Sequence, residues 1–287
     1  MEIVTGYRVD DKLRNSLGDL AQRTFGIDLC GWYDKGFWQN DYIPYSVIED
    51  GRVVSNISVN VCNVKRRSKV YHLAQLGTVM TDEKYRGRGY SRLLMERVVG
   101  ECTRSFDGIY LFAQDDMSSF YEKFGFIRKD EWQCRKKVNI TEPQTAERVP
   151  MDSKDEWNRM VNIIQRRIQY GEYVMVNNPG LFMFYLTGPM SECVYYIPSV
   201  EAYVIADVEG ETLTVYAVFS SEKISLGEVI SSFGDKIKHV VLAFTPEDKT
   251  GFEQKKIESD DTVLFTMGEA FGKNANDRFM FPLIAQA

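Results

Sequence analysis

A basic, glycine-rich loop between a predicted strand and a predicted helix constrains this chain more than any other feature. The loop reads Arg86-Gly87-Arg88-Gly89. Its glycines permit open backbone conformations and let an anion approach the main chain without a Cβ in the way. Apolar residues then recur at helical spacing, which indicates that the loop opens a helix: Tyr90, Leu94, Val98 and Cys102.

The start of that helix is predicted to bind an anion. Unpaired N–H groups and the helix dipole favour negative charge there by roughly 0.3–1 kcal/mol per charge at exposed sites. Arg86, Arg88 and Arg92 add cationic donors. The sequence excludes a P-loop, since the Gly-x-x-x-x-Gly-Lys-Ser/Thr pattern does not match, and a dinucleotide fingerprint, since Arg92 replaces its last glycine.

A second informative segment reads Phe120-Tyr121-Glu122-Lys123-Phe124-Gly125-Phe126 and follows a strand-like run at 109–113. Ser119 and Glu122 have the spacing of a capping box, and Gly125 is a plausible stop signal. The pattern predicts a short helix that begins near residue 119.

Together the two segments resemble the signatures of the GNAT superfamily of acyl-CoA N-acyltransferases. The family's pyrophosphate loop reads Arg/Gln-x-x-Gly-x-Gly/Ala, and here Arg86 to Ser91 matches it with Ser91 in the last position. The second signature places a tyrosine before a polar residue and a Gly-Phe or Gly-Tyr pair. The resemblance covers residues 1 to about 140 and implies acetyl-CoA as co-substrate, with no metal.

The resemblance also implies roles for individual residues. In the family, the strand before the loop offers backbone N–H groups to the cofactor, and the loop binds the pyrophosphate. Tyr121 matches the tyrosine that protonates the departing sulfur, although it could instead be a packed core residue. The cofactor-binding residues implied are Val79, Met80, Thr81, Arg86, Gly87, Arg88, Gly89, Tyr90, Ser91 and Arg92. The general base stays open among Glu122, Asp115, Asp116, the carboxylate of Ala287 and a water chain.

The pattern of elements favours an α/β chain of mixed sheets with two domains. Residues 1–140 are predicted to form a GNAT acetyl-CoA-binding catalytic domain, and residues 151–287 a degenerate GNAT-like domain, joined by an irregular linker at 139–151. In the first half, residues 11–25 have helical spacing and Glu49-Asp50-Gly51 signals a hairpin. The second half repeats the hairpin and the strand–turn–helix order. It has Ser225-Leu226-Gly227-Glu228 in place of the basic loop, and Glu228 would repel a phosphate. The plan resembles the front part of bacterial Eis-like acetyltransferases, and an unrelated α+β second domain is the alternative.

Charge is divided unevenly along the chain. Residues 1–150 carry a net charge of +2 and the remainder carries −8, within a total of −6. This argues against nucleic acid as a partner, and the basic run at 65–69 is interpreted as a solvated hairpin tip. The acidic second half is compatible with a cationic amine substrate.

Cysteine usage and hydropathy place the chain among cytoplasmic proteins without a membrane partner. The five cysteines are odd in number and widely spaced without a Cys-x-x-Cys pair, so we expect reduced thiols. Two histidines leave little material for a zinc cluster or a Ser-His-Asp relay. Neither an apolar run near eighteen residues nor a basic, hydrophobic leader occurs at the start. A homo-oligomer is left open.

These features predict an N-acetyltransferase that moves an acetyl group from acetyl-CoA to a primary amine of a small molecule or peptide by direct attack. The alternative is a non-catalytic acyl-CoA-binding or interaction protein. Substrate choice is assigned to residues 26–45, which are rich in aromatic and acidic side chains that could surround a cation. The competing interpretation is that these aromatics pack the core.

Overall fold

The computed structural model describes residues 1–176, 178–258, 262–271 and 278–286, which form two mixed β-sheets with helices packed on them. The strands are β1 Glu2–Thr5, β2 Tyr42–Glu49, β3 Arg52–Arg66, β4 Lys69–Thr81, β5 Gly108–Ala113, β6 Ile127–Lys129, β7 Trp132–Lys137, β8 Glu147–Arg148, β9 Ile168–Gln169, β10 Tyr173–Val176, β11 Val194–Ile197, β12 Ala202–Glu209, β13 Thr212–Ser220, β14 His239–Leu242, β15 Glu253–Lys256 and β16 Val263–Gly268. The helices are α1 Asp11–Phe25, α2 Leu29–Asp34, α3 Tyr90–Ser105, α4 Ser118–Tyr121, α5 Lys154–Arg166, α6 Pro179–Leu186 and α7 Leu226–Ser231.

The first sheet carries the glycine loop. Its strand order is β1-β2-β3-β4-β5-β16-β6, and β10 pairs with the outer part of β3. The β4–β5 pair is parallel and the other pairs are antiparallel. Helices α1 and α2 pack on one face and α3 packs on the other, each over its own apolar cluster.

Local sequence explains the elements that lead to this sheet. The side chain of Asp10 accepts a hydrogen bond from the N–H of Leu13 at the start of α1, and Gly26 ends the helix with a φ of 70°. The β2–β3 hairpin turns at Asp50 and Gly51, whose φ angles of 49° and 70° suit a two-residue hairpin turn. The predicted α1 and hairpin are therefore confirmed.

The second sheet repeats this arrangement without the basic loop. Its order is β15-β7-β14-β13-β12-β11-β8, and β13 lies parallel to β14 as β4 does to β5. At the start of α7, Ser225 and Glu228 form a reciprocal capping box. The Glu228 carboxylate accepts from the N–H of Ser225 at 3.1 Å. A carboxylate of the chain itself thus occupies the position that an anion would need.

Each sheet contains strands from both halves of the chain, since β10 and β16 lie in the first sheet and β7 lies in the second. Strand β16, from near the end of the chain, lies between β5 and β6 in the first sheet. Strand β7, which directly follows β6 in the sequence, lies between β14 and β15 in the second sheet. The division at 1–140 and 151–287 remains a prediction, but the sheets do not part at that point.

A continuous apolar cluster fills the space between the sheets. Leu73 and Tyr110 of the first sheet pack in it with Phe182, Phe219 and Phe281. The hydroxyl of Tyr110 donates to the carbonyl oxygen of Ala285 at 2.9 Å. The end of the chain is therefore anchored in the core, while Ala287, whose carboxylate was a candidate base, lies outside the described residues.

Two local predictions are wrong. The short helix predicted to begin near residue 119 is confirmed as α4, which begins at Ser118, but the predicted capping box of Ser119 and Glu122 is wrong. A 3-10 turn begins at Asp115 and runs into α4, so Ser119 lies inside the helical segment. The hydroxyl of Ser118 instead donates to the carbonyl oxygen of Asp115 at 2.6 Å. The predicted linker contains β8, because Glu147 and Arg148 pair with β11. The stop at Gly125 is confirmed by its φ of 90°.

Other sequence interpretations concern the surface and the thiols. The basic run at 65–69 forms the predicted hairpin tip, with Arg67 at a φ of 56°. All five cysteines are free thiols. Among the helices that the structure describes, none has the length and apolar character needed to cross a bilayer.

Candidate functional site

The glycine loop has the geometry of an anion cradle. Gly87 and Gly89 have φ angles of 77° and 83°, a region that residues with a Cβ rarely adopt. Apart from each glycine's own neighbours in the chain, no atom of the described residues lies within 4 Å of the place where a Cβ would stand at Gly87 or Gly89. The main chain of the loop is therefore open to a ligand.

Helix α3 starts directly at this loop without a side-chain cap. Gly89 is the N-cap residue and the first turn has no acidic side chain. The hydroxyls of Thr81 and Ser91 are hydrogen-bonded at 2.7 Å, which ties the end of β4 to the start of α3. N–H groups at such a terminus lack intrahelical partners and favour an anion.

The arginines of the loop are exposed and paired with nearby carboxylates. Arg88 lies 3.6 Å from Glu49, Arg86 lies 3.8 Å from Glu83, and Arg92 lies 2.8 Å from Glu96. Each guanidinium side chain is at least half exposed. Exposed pairs of this kind contribute about 0–1 kcal/mol, so a phosphate could displace them. Tyr90 donates its hydroxyl proton to Glu49, which places that carboxylate beside the loop.

Strands β4 and β5 separate just before the loop. Their parallel pairing runs from Leu73–Gly108 to Leu76–Leu111, whereas β4 continues to Thr81. The last five residues of β4, which include the predicted Val79, Met80 and Thr81, thus extend beyond the paired part. A wedge opens between the two strands at the end that faces α3.

A β-bulge lies in the separated part of β4. Asn56 pairs with Met80 and Ser58 with Gly77, so Thr78 and Val79 fall between two paired positions. Thr78 has a φ of 44°, which is uncommon for a β-branched residue. Such strained positions persist where the surroundings fix them, and they cluster at functional sites.

A buried network of hydrogen bonds fixes this bulge. The Asn56 side-chain amide donates to the carbonyl oxygen and the hydroxyl of Thr78 at 3.1 and 3.2 Å. The hydroxyl of Thr78 is also bonded to Tyr42 at 2.7 Å and donates to Ser58 at 2.9 Å. Behind Asn56, the hydroxyl of Ser46 donates to its side-chain oxygen at 2.8 Å. All these side chains are at most 8% exposed.

We expect the substitution Asn56→Leu to lower the free energy of unfolding by about 1–3 kcal/mol, because it leaves buried groups of Ser46 and Thr78 without their partner. It should also lower activity, since the bulge loses its main support. Chemical denaturation measures the first effect. The exposed Asn162→Leu on α5 is the matched control, with a change within about 0.5 kcal/mol; equal effects of the two variants would contradict the role given to the network.

Tyr121, the predicted acid, lies at the end of α4 and is 4% exposed. Its ring packs against Phe120 at 5.2 Å and Phe265 of β16 at 5.3 Å, between ring centroids. It shares an apolar cluster with Leu76 and Leu111, the last paired residues of β4 and β5. Burial raises the pKa of Tyr121 to about 12, so the phenol stays protonated at neutral pH.

The structure separates the candidate bases by environment. Asp115 is bound by Arg128 at 2.9 Å, and that contact lowers the pKa of the carboxyl group, which makes it a weak base. Asp116 and Glu122 are exposed. None of the three carboxylates is buried, whereas Tyr121 is.

The segment at 26–45 contributes both core and cavity. Trp32 and Trp38 stack at 6.0 Å and are at most 5% exposed, and Asp28 caps α2 through the N–H of Gly31. Trp32 also lines a cavity of about 170 Å³, together with Asp41 and Tyr42. A second cavity of about 350 Å³ shares part of its lining.

Sequence reasoning missed the groups that shape the bulge. Asn56, Ser58 and Asn60 alternate with apolar residues along β3, a pattern that is typical of a solvent-facing strand, yet they are at most 1% exposed. Thr78 carries no local signal for a positive φ. Phe265 lies in the second half of the sequence, so its contact with Tyr121 has no local signal either.

The family of the first half follows from a comparison of its sequence. Residues 32–128 match a protein-family model described as an acetyltransferase (GNAT) domain. The chain contains a GNAT acetyltransferase domain. The matched range of this GNAT domain includes the glycine loop, α3, β5 and Tyr121. Comparison with curated proteins gives no match.

Solved structures share the fold over most of the chain. A probable N-acyltransferase from Enterococcus faecalis, a conserved protein of unknown function, is similar with a TM-score of 0.61 and 14% identity, over 92% of this chain and 71% of that one. Eis1 from Mycobacterium abscessus gives 0.58 and 12%, over 92% and 73%. A GCN5-related N-acetyltransferase from Kribbella flavida gives 0.55 and 12%, over 92% and 71%. The predicted GNAT fold with a second mixed sheet is confirmed.

Proposed function

We propose that this protein is an N-acetyltransferase that moves an acetyl group from acetyl-CoA to a primary amine of a small molecule or peptide. The observation that carries the proposal is the wedge between β4 and β5 beside the uncapped start of α3. Membership of the GNAT family supports an acyl-CoA-dependent enzyme.

The residues around the loop fit an acyl-CoA. The open space beside Gly87 and Gly89 would admit a pyrophosphate to the main chain, and Arg86, Arg88 and Arg92 would neutralise its charge. Acetyl-CoA would supply a thioester, whose acetyl carbon accepts an amine and whose sulfur leaves as a thiolate.

The chain's own groups would lower the barrier in two ways. Backbone N–H groups at the bulge, around Val79 and Met80, would polarise the thioester carbonyl, a kind of preorganised donor that is usually the largest catalytic contribution. Tyr121 would donate its proton to the sulfur. In the balanced reaction a C–N bond forms, the C–S bond breaks with its electron pair on sulfur, and one ammonium proton reaches bulk water while the other restores the phenol.

We also propose that the enzyme works in the cytoplasm. Its five cysteines are unpaired thiols, and disulfides are rare where the cell keeps thiols reduced.

Cofactor binding and turnover test the proposal separately. We expect acetyl-CoA to raise the melting temperature, and an amine to cause release of free CoA that a thiol reagent detects. Arg88→Glu should weaken acetyl-CoA binding about tenfold or more, because one charged contact with phosphate becomes repulsive. Arg104→Glu, the same charge change at the opposite end of α3, is the control.

The outcomes distinguish two functions. Binding without turnover of any amine would favour the non-catalytic acyl-CoA-binding protein. Absence of a shift in melting temperature would contradict the anion site itself.

A further inference from the structure

The two cavities beside α2 form one cleft between the halves of the protein. The inner cavity, about 170 Å³, and the outer cavity, about 350 Å³, share Phe37, Gln39, Gln165, Pro179 and Gly180 in their walls. One wall comes from the segment between α2 and β2, and the other comes from α5 and the start of α6. The indole N–H of Trp32 donates to the carbonyl oxygen of Gly180 at 3.0 Å and links the two walls.

The inner cavity lies beside the bulge of β4. Its lining includes Tyr42, whose hydroxyl is bonded to that of Thr78 at 2.7 Å. It also includes Asn60, whose side-chain amide donates to Gln75 of β4 at 3.4 Å. The lining of this cavity therefore contacts the bulge of β4 through Tyr42 and the paired part of the same strand through Asn60.

Among the described residues that line the inner cavity, Asp41 is the one with a carboxylate. It is half-buried beside aromatic rings, and burial raises the pKa of its carboxyl group. In the described part of the chain no cation forms an ion pair with it. A partly desolvated carboxylate beside aromatic rings attracts an ammonium group.

Two of the amides that line the inner cavity with Asp41 are engaged in hydrogen bonds. Asn178 donates to the side-chain oxygen of Asn60 at 3.0 Å, and its own side-chain oxygen accepts from the N–H of Leu181 at 3.0 Å. This wall is thus fixed by its own hydrogen bonds. Asp41 is left as the charged group that a ligand can pair with.

The outer cavity has the opposite charge. Lys35 and Lys154 line it, and no acidic side chain is found among the lining residues that the structure describes. The ammonium of Lys35 donates to the carbonyl oxygen of Thr187 at 2.7 Å, which holds it at the cleft and leaves it further protons to donate. Lys154 is the first residue of α5, where the helix dipole adds positive potential.

We propose that the cleft selects a zwitterionic amine, a small molecule or short peptide with a primary ammonium at one end and a carboxylate at the other. This rests on the proposed function and names its acceptor class. Asp41 binds the ammonium that is acetylated, and Lys35 and Lys154 bind the carboxylate. The inner cavity has room for about six water-sized groups, which suits an ammonium and a short alkyl chain. Polycations meet repulsion in the outer cavity, although the acidic second half alone would favour them.

Three acceptors of equal chain length test the proposal: 6-aminohexanoate, hexylamine and 1,6-diaminohexane. Release of CoA gives kcat/KM for each. We expect kcat/KM for 6-aminohexanoate to exceed that for hexylamine about threefold to tenfold, because its remote carboxylate is attracted by the exposed lysines. It should exceed kcat/KM for 1,6-diaminohexane by more, because the remote ammonium of the diamine is repelled by the same lysines. A diamine that is used as well as 6-aminohexanoate, or better, overturns the proposal.

Variants connect that preference to particular residues. Lys154→Glu, a change that suits a helix start, should lower kcat/KM for 6-aminohexanoate and raise it for the diamine. Asp41→Asn should raise KM for all three amines. Lys236→Glu, an exposed lysine that lines neither cavity, is the charge-matched control. An unchanged ranking in Lys154→Glu contradicts the role of the outer cavity.

Binding separates this proposal from the proposed function. The shift in melting temperature with acetyl-CoA should be equal in all variants, since the glycine loop is intact in each. If acetyl-CoA binds but no amine is acetylated, the proposed function fails, and calorimetry with the same three compounds then decides the inference. Tighter binding of 6-aminohexanoate than of the other two supports the charge pattern, and equal or reversed affinities overturn it.

Discussion

Tyr121→Phe should lower kcat about 10²–10⁴-fold, the usual range for removal of a positioned general acid. The ring stays in place against Phe120 and Phe265, so the melting temperature and the KM for acetyl-CoA should change little. Steady-state kinetics with the best amine of a panel, together with a thermal melt, measures both effects.

A phenol with a high pKa is a weak acid for an ordinary thiolate, so the match depends on burial. Burial raises the pKa of Tyr121 to about 12. Desolvation disfavours a thiolate in the same way, so the pKa of a thiol that forms in the same buried site would be raised as well. Proton transfer between matched groups has a small energetic penalty.

The pH dependence follows from the same value. A group with a pKa of about 12 stays protonated between about pH 6 and pH 9, so Tyr121 does not titrate there. The ratio of kcat between the parent and Tyr121→Phe should therefore be constant over this range. Tyr196→Phe on β11 of the second sheet, where the ring lies 4.9 Å from that of Tyr203 between centroids, is the control and should leave kcat within a few-fold. A similar loss in both variants would contradict the role of Tyr121 as the acid.

The sequence predicted those parts of the site whose conformation depends only on residues that are neighbours in the chain. Glycines in a basic loop, the apolar stripe of α3 and the turn at Asp50 and Gly51 each need only a few neighbouring residues, and all of them occur in the structure. The bulge at Thr78 depends on side chains that come together from β2, β3 and β4. A polar residue in alternation with apolar ones predicts solvent exposure unless a distant partner satisfies it, and Asn56 has such a partner.

The sequence could not predict, for a different reason, that strands from one half of the chain lie in the sheet of the other half. Val263, Leu264 and Phe265 form a continuous apolar run, which suits a central strand of any sheet. Nothing in that run specifies whether it pairs with β14 of its own half or with β5 of the other. Register and shape of the whole core decide the partner, and these are properties of the folded chain.

Cleavage of the chain between Glu142 and Pro143 should leave the two pieces associated. We would insert a recognition site for a specific protease there, because Thr141 to Thr145 are exposed. After cleavage the first piece still needs β16 between β5 and β6, and the second still needs β7 between β14 and β15. Size-exclusion chromatography should therefore show one particle of the parent's size, which separates only in denaturant.

Each piece made alone should fail to fold, and this is the larger effect. Without β16 the first sheet loses Leu264 and Phe265, both fully buried, and each such side chain contributes about 1.5–3 kcal/mol by burial. The second sheet likewise loses β7, with its buried Cys134. Circular dichroism and thermal melts of the separate pieces check this, and the uncleaved chain with the same insertion is the control. The result that would contradict an interdependent core is that each piece melts cooperatively and elutes as a separate monomer. That result would favour the two domains that the sequence predicts at 1–140 and 151–287. Because Phe265 also contacts Tyr121, separate folding of the first piece would further mean that this tyrosine can be held without β16.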